Sequence, residues 1–206
     1  YYQVLLDDYD IRAELTSTKR VAFHRYTFPE SDQARILFDI GHRQGESGEV
    51  SDAFVRMTSE KTLEGFVSTL PEYVKNYQKG AQVKMYFVAE LDKAPKHVGS
   101  FIDEQVNPGH LSTQGKGCGL YLTYETEKDE AVNVKVGLSY TSIENARENL
   151  NAEAAGLDFD EAKEAARRSW NQMLGRIAVE GGKDEDRKKF YTGLYHALLG
   201  RGLASD

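Results

Sequence analysis

The sequence predicts a mostly β fold, an antiparallel β-sandwich followed by two or three α-helices. Short runs of β-branched and aromatic residues, separated by turn residues, fill positions 1–141. No helix-length periodicity interrupts these runs, which favours antiparallel strands over a parallel sheet with crossover helices. From residue 142 onwards, apolar residues recur at the three- and four-residue spacing of a helix. The chain therefore changes from strands to helices near that residue.

Nine runs in the first part of the chain are predicted to be strands. The last run has the clearest alternation, because Val132, Val134 and Val136 fall on one face. Polar residues such as Asp7 mark the turns between strands. The predicted strands are Tyr2–Leu6, Ile11–Thr18, Val21–Phe28, Ala34–Ile40, Glu49–Thr58, Thr62–Leu70, Gln82–Leu91, Gly119–Thr126 and Ala131–Tyr140.

Three helices are predicted after the strands. Ser142 is placed to cap the first of them. The second begins at Asp158, with Glu161 three residues later in the pattern of a capping box. The third begins near Asp184, and its apolar face consists of Phe190, Leu194, Ala197 and Leu198. This face needs a further surface to cover it, so the third helix is predicted to be the first element of something larger.

These patterns divide the chain into three parts. Residues 1–141 are predicted to form the sandwich, residues 142–182 a helical linker, and residues 183–206 the first helix of a further domain. The chain opens at Tyr1 rather than at methionine, so we expect its natural N-terminus to lie upstream.

Composition excludes several classes of partner. Hydrophobic residues make up 40% of the chain, enough for a sizeable core. A formal charge of −7 argues against nucleic acid or an anionic membrane as the main partner. No apolar run approaches the roughly 20 residues of a membrane-spanning helix. Cys118 is the one cysteine, which excludes an intrachain disulfide, and we expect it to be a buried apolar residue.

His24 is the one candidate for a substrate-binding residue. Strand alternation places His24, Tyr26 and Phe28 on one face, and Phe23 and Arg25 on the other. One interpretation makes His24 a hydrogen-bonded residue of an interior or interface face. The alternative is a contribution to a sugar-binding site.

The other polar clusters have structural interpretations. None of the five histidines lies at metal-binding spacing from another histidine, and the single cysteine could supply only one further metal ligand. The acidic clusters fall at predicted turns and helix N-termini, where carboxylates are stabilised without catalysis. These clusters are Asp7-Asp8-Asp10, Asp103-Glu104, Asp158-Asp160-Glu161 and Asp184-Glu185-Asp186. We therefore predict no catalytic residue and no metal site within the 206 residues.

Three stretches, in order along nearly the whole chain, resemble glycoside hydrolase family 92, a family of bacterial α-mannosidases. The first comprises Tyr1–Ile11, Ala13–Thr16, Arg20 and His24–Pro29. The second comprises Val136–Tyr140, Ser142–Ala146, Asn149–Leu150, Glu153, Phe159–Asp160 and Trp170–Asn171. The third comprises Val179–Gly182 and Phe190–His196. Gly193 departs from the family pattern, which has alanine there.

The resemblance implies an N-terminal supersandwich joined by linker helices to an (α/α)6 barrel. It also implies calcium-dependent, inverting removal of terminal mannose, with α-1,2-linked mannose of glycans as the expected substrate. The barrel would carry the catalytic carboxylates and calcium ligands downstream of Asp206. This chain would supply scaffold and part of the pocket wall, bind no calcium and be inactive alone. A periplasmic, cell-surface or secreted location is expected by the same resemblance.

Two other readings compete with this one. The chain could be a self-standing carbohydrate-binding sandwich that recognises glycans without cleaving them. It could also be a structural domain with a partner helix docked on the stripe from Phe190 to Leu198. An uninterrupted reading frame with several hundred helical residues after Asp206 would favour the mannosidase, whereas glycan binding by the isolated chain would favour the binding module.

Overall fold

The fold is an antiparallel β-sandwich with three helices after it, as predicted. The computed structural model describes residues 1–45, 47–71 and 77–199. Within these ranges there are twelve strands in two sheets, and all of their pairings are antiparallel. The strands are β1 Tyr2–Leu6, β2 Ile11–Ser17, β3 Val21–Phe28, β4 Ser31–Asp39, β5 Glu49–Ser59, β6 Thr62–Leu70, β7 Val83–Leu91, β8 His97–Ile102, β9 Gln105–Pro108, β10 Ser112–Gln114, β11 Cys118–Thr126 and β12 Glu130–Ser139.

The two sheets differ in size and enclose the main core between them. The larger sheet has the order β1-β2-β3-β12-β7-β6-β5-β10, and the smaller has the order β4-β11-β8-β9. Strand alternation directs Leu120 and Leu122 of the smaller sheet towards Val132 and Val134 of the larger one. These four side chains are at most 2% exposed, so the centre of the sandwich is shielded from solvent.

The three helices are α1 Ile143–Ala154, α2 Phe159–Leu174 and α3 Asp184–Leu199. Both predicted caps are confirmed. The Ser142 hydroxyl accepts a hydrogen bond from the Asn145 amide at 3.0 Å. The Asp158 carboxylate accepts one from the Glu161 amide at 2.8 Å, and the Glu161 carboxylate accepts one from the Asp158 amide at 2.9 Å. The third helix begins at Asp184 as predicted; residues 200–206 lie outside the described ranges.

The first two helices cover the outer face of the larger sheet and form a second core there. Phe23 and Val88 of the sheet pack against Leu150 of α1 and Phe159 at the start of α2. Gly137 of β12 allows α1 to approach closely, because a side chain there would meet the helix backbone. The larger sheet therefore carries the smaller sheet on one face and the helices on the other.

A buried carboxylate, Glu64, and a half-buried one, Glu153, join α1 to the sheet. Glu64 of β6 is only 4% exposed and accepts hydrogen bonds from Arg56 at 2.6 Å and from Arg147 of α1 at 2.5 Å. At the other end of α1, the Glu153 carboxylate accepts hydrogen bonds from the Arg20 guanidinium and backbone amide at 2.9 and 3.0 Å. Ion pairs in such partly buried sites hold the helix in a fixed position on the sheet, even where they add little to the free energy of unfolding.

The sequence analysis missed strands β8, β9 and β10. The first two form a hairpin around Asp103, which was correctly predicted to be in a turn. The third has three residues, Ser112–Gln114, and pairs with β5 of the other sheet. Runs as short and polar as β9 and β10 carry no alternation signal, so their pairing is decided by distant residues. Over the described ranges, none of the helices is both long and apolar enough to cross a bilayer.

Candidate functional site

A cleft of ≈ 510 Å³ opens between the two sheets. Its floor is the inner face of the larger sheet, and its other wall is β4 with the residues that follow it. Most lining residues are aliphatic or aromatic, with a few polar side chains among them, as in most small-molecule sites. The polar lining residues are His24, Tyr26, Asp39, His42, Gln44, Ser47 and Thr69.

His24 lies in this cleft, on the interior face that strand alternation predicted. The neighbouring Phe23 points the other way and packs under the helices. The His24 Nδ1 atom lies 2.8 Å from the Tyr26 hydroxyl, so the two side chains hydrogen-bond each other. Burial lowers the pKa of His24, because desolvation disfavours the imidazolium. The imidazole is therefore a neutral hydrogen-bonding group, and its role in substrate binding stays a prediction.

His42 stands at the rim of the cleft between two carboxylates. Its Nδ1 atom lies 2.8 Å from Asp39 Oδ1, and its Nε2 atom lies 3.3 Å from Asp103 Oδ1. The hydrogen bond to Asp39 raises the pKa of His42, and the charges of both carboxylates add to this effect. Asp103 sits in the β8–β9 turn with φ of 50°, a left-handed conformation that Asp tolerates. The cluster joins the β8–β9 turn to the residues that follow β4.

We expect His24 and His42 to titrate in opposite directions from the usual 6.5, because one is desolvated and the other is paired. The contribution of His42 to stability is present below 6.5 and is lost as the pH rises through its raised folded pKa. That of His24 is present above 6.5 and is lost as the pH falls towards its lowered folded pKa. Imidazole resonances followed by NMR against pH measure both values.

The variant Asp39→Asn serves as the control for this titration. It removes the nearer carboxylate and should bring the pKa of His42 back towards 6.5 while leaving that of His24 unchanged. A His24 pKa above 6.5 in the parent chain would contradict its placement in a desolvated cleft.

The acidic clusters occupy the turns and helix starts that the sequence predicted. Asp10 has φ of 52° in the β1–β2 turn, and Asp184 lies in the first turn of α3. Across the described part of the chain, no group of three or more His, Cys, Asp or Glu side chains could hold a metal ion. Cys118 is fully buried, as predicted, and burial raises the pKa of its thiol to about 11.

The helices present a second surface, which includes exposed apolar residues of α3. No side chain of α3 is buried within its described length. Trp170 of α2 and Tyr195 of α3 lie with ring centroids 4.8 Å apart, and Phe190 elsewhere on α3 is 38% exposed. Of the predicted apolar stripe of α3, Leu194 and Leu198 are half-buried and Phe190 and Ala197 are exposed, so the described residues cover it only in part.

Sequence reasoning placed His24 correctly but did not find the cleft. The cleft forms because β4, a strand of the smaller sheet, packs over the larger sheet. Contacts between residues that are far apart in the sequence leave no local pattern from which they could be predicted. The inward alternation of Ile36 and Phe38 was the one available indication.

Two family models match the chain one after the other. Residues 1–139 match the N-terminal domain of glycosyl hydrolase family 92. Residues 145–206 match the catalytic domain of the same family. A search of curated proteins found no match.

Comparison with solved structures also gives matches to members of this family. A family GH92 α-mannosidase from Bacteroides thetaiotaomicron superposes with a TM-score of 0.84 at 28% identity, covering 95% of this chain and 26% of that one. The same enzyme in complex with mannoimidazole matches equally well, with a TM-score of 0.84. A family GH92 inverting mannosidase from the same species shares the fold, with a TM-score of 0.78 at 22% identity over 95% of this chain and 25% of that one.

The chain thus spans about a quarter of the length of these solved relatives. The N-terminal model alone covers residues 1–139, which is more than half of the 206 residues. By this match, supported by the sandwich and its helices, the chain belongs to glycosyl hydrolase family 92.

Proposed function

We propose that this chain is the N-terminal part of a calcium-dependent, inverting exo-α-mannosidase that removes terminal α-1,2-linked mannose from glycans. The succession of the two family models along one chain carries the proposal. The likeness to an α-mannosidase, which has also been solved with mannoimidazole, supports mannose-containing glycans as the substrate class. A periplasmic, cell-surface or secreted location in a bacterium belongs to the same proposal.

In this proposal the sandwich is a scaffold and one wall of the substrate pocket. Catalysis belongs to a domain whose first helix is α3 and whose carboxylates follow Asp206 in the sequence. The aromatic side chains that remain exposed on α3, Phe190 at 38% and Tyr195 at 40%, belong to the surface on which that domain would pack. Burial of aromatic rings is the largest apolar contribution that such a contact can make.

In this proposal, calcium binds to the catalytic domain as well. The described residues bring together no group of three side chains suited to a metal ion, so they do not fit the calcium site that the family implies.

The proposal is tested by α-mannoside hydrolysis, with calcium and with a chelator. The 206-residue chain is compared with the product of the uninterrupted reading frame that contains it. We expect hydrolysis by the longer protein alone, loss of activity with the chelator, and β-mannose as the first product seen by NMR, because inversion changes the anomer. A matched set of α-1,2-, α-1,3- and α-1,6-linked mannobioses tests the linkage.

Turnover by the 206-residue chain would contradict this assignment of the catalytic groups. Retention of the anomer would contradict inversion. Activity in the presence of chelator would contradict calcium dependence. Absence of activity in both proteins, combined with binding of mannan by the short chain, would favour the carbohydrate-binding module instead.

A further inference from the structure

Three aromatic side chains form a row on the outer face of the larger sheet. Register places Phe54 of β5 opposite Phe66 of β6, and Phe66 opposite Tyr86 of β7. Tyr86 lies two residues before Val88, which packs under the helices, so the row is on the same face as they are. The ring centroids follow each other at 6.0 and 6.1 Å across the three strands. We call Phe54, Phe66 and Tyr86 the aromatic row.

The helices that cover this face end beside the aromatic row. Tyr86 lies opposite Ser139, which is the last residue of β12 and directly precedes the turn into α1. Beyond Phe54 the sheet ends with Gln114 of β10. Phe23, which lies under the helices, is 2% exposed, whereas all three rings of the row are only half-buried. The described helices therefore leave the row partly open to solvent.

Polar side chains border the aromatic row on both sides. Two residues away along the strands, Asp52 and Lys84 lie on one side and Arg56 and Glu64 on the other. The Lys84 ammonium lies 3.8 Å from the centroid of the Phe66 ring. The Glu64 carboxylate accepts a hydrogen bond from Arg56 at 2.9 Å. Charges of both signs are interspersed here, so the surface has no strong field of one sign.

The aromatic row is too narrow for a protein helix. Outward side chains lie about 7 Å apart along a strand, because each residue rises roughly 3.4 Å and alternate residues face outward. A helix with its side chains is about 10 Å wide, so a helix over the row would also bury the charges of Lys84 and Arg56. Nucleic acid requires a basic surface, which the carboxylates of Asp52 and Glu64 oppose.

An oligosaccharide fits both the rings and their polar border. The C–H groups of a pyranose form an apolar face about as wide as one aromatic ring, and their partial positive charge is attracted to the negative face of that ring. The hydroxyl groups at the edge of the sugar donate to a carboxylate such as Asp52 and accept from an ammonium such as Lys84. Without a sugar, the Lys84 ammonium occupies the face of Phe66. In the complex the sugar takes that place and the ammonium turns to its hydroxyl groups.

The inclination of the rings distinguishes between kinds of glycan chain. The planes of Phe54 and Phe66 differ by 34°, and those of Phe66 and Tyr86 by 59°. Chains joined through equatorial bonds, such as β-1,4-linked mannan, are flat ribbons that match coplanar rings. Axial α-linkages make successive sugars turn, as inclined rings require. We propose that the aromatic row, with Asp52 and Lys84, binds a chain of α-linked mannose units, one over each ring. The choice of mannose rests on the proposed function.

Binding of two linkage isomers tests the inference. The probes are α-1,2-linked and β-1,4-linked mannotetraose, which contain the same sugar, and calorimetry with the 206-residue chain measures both association constants. We expect the constant for the α-linked probe to be at least about 10-fold larger. In NMR titrations, the resonances of Phe54, Phe66 and Tyr86 should shift with that probe. The product of the uninterrupted reading frame should give the same shifts.

Substitution of the central ring provides a second measurement. Phe66→Ala removes the ring and should lower the association constant at least about 10-fold. Phe66→Leu keeps most of the apolar volume and should lower it to a similar extent, which preserves the test if the alanine variant does not fold. Tyr9→Ala is the matched control, because it removes a tyrosine that is 69% exposed in the β1–β2 turn. That variant should bind as the unsubstituted chain does.

Four outcomes would overturn the inference. These are no binding of the α-linked probe, equal affinity for both probes, unchanged binding by Phe66→Leu, and loss of the shifts in the longer protein. The first and third would leave the row with the role of cross-strand aromatic pairs that stabilise a sheet. The last would make the row a contact with the catalytic domain.

Failure of this inference is distinguishable from failure of the proposed function, because binding is measured without turnover. A longer protein that binds the α-linked probe at the row and hydrolyses no mannoside would refute the proposed function and not the glycan-binding surface. Hydrolysis without shifts at the row would refute the surface alone.

Discussion

Replacing Gly137 with alanine is expected to lower the free energy of unfolding by about 2 kcal/mol. The added Cβ would lie 2.4 Å from the Ala146 carbonyl oxygen and 2.7 Å from Leu150 Cβ, both in α1. A helix backbone cannot turn aside as a flexible side chain can, so α1 would have to move away from β12. Urea unfolding followed by circular dichroism measures the loss.

The same substitution at Gly193 is the matched control. That residue lies inside α3, and nothing lies within 4 Å of an added Cβ. Alanine should therefore stabilise α3 by up to about 1 kcal/mol, because glycine is a poor helix former. Slower amide exchange along α3 would report it. If Gly137→Ala left the free energy of unfolding unchanged, the close approach of α1 to β12 would be refuted.

Replacing Leu150 with alanine is expected to lower the free energy of unfolding by about 3 kcal/mol. The side chain is 2% exposed and packs among Phe23, Val88 and Phe159, where the sheet cannot collapse into the space it leaves. Urea unfolding again measures the change. The loss should be the same in the 206-residue chain and in the full protein, since all of these contacts lie within the described residues.

Leu194→Ala in α3 is the comparison for this prediction. Its side chain is only half-buried, so the cost in the short chain should stay below about 1 kcal/mol. In the full protein the cost should rise towards that of Leu150→Ala, because the proposed catalytic domain would cover this face. A cost that is small in both proteins would argue that nothing packs on α3.

Local features of the fold could be predicted from the sequence because local chemistry decides them. Ser142 and Asp158 satisfy amides within three residues of themselves, so their capping roles depend on nothing distant. The face occupied by His24 follows from the two-residue period of a strand and the apolar residues beside it. The buried state of Cys118 between two glycines follows equally from its immediate surroundings.

The grouping of strands into sheets could not be predicted, because it depends on residues far apart in the chain. Strand β3 is followed directly by β4, yet the two belong to different sheets, while β3 pairs with β12 more than a hundred residues later. The cleft results from that arrangement. The division of the helices between a linker and a catalytic domain stays a prediction.

Strand β8 shows why some strands escape detection. It contains Gly99, over which the ring of Tyr121 from the neighbouring strand lies, and Phe101, whose ring lies over Gly119. Each glycine weakens the alternating pattern that identifies a strand. Each also makes room for an aromatic side chain of the neighbouring strand. The stabilising feature is thus the pair, and a single run of sequence shows only half of it.

The helical layer also determines where this polypeptide can be divided. A chain cut after Thr141 would keep all twelve described strands and lose the cover over Val21, Phe23 and Val88, leaving a wide apolar surface facing water. A soluble sandwich therefore has to retain α1 and at least the first turn of α2, through Ala162. The smallest separable unit of this protein ends inside its second helix, well after the last strand.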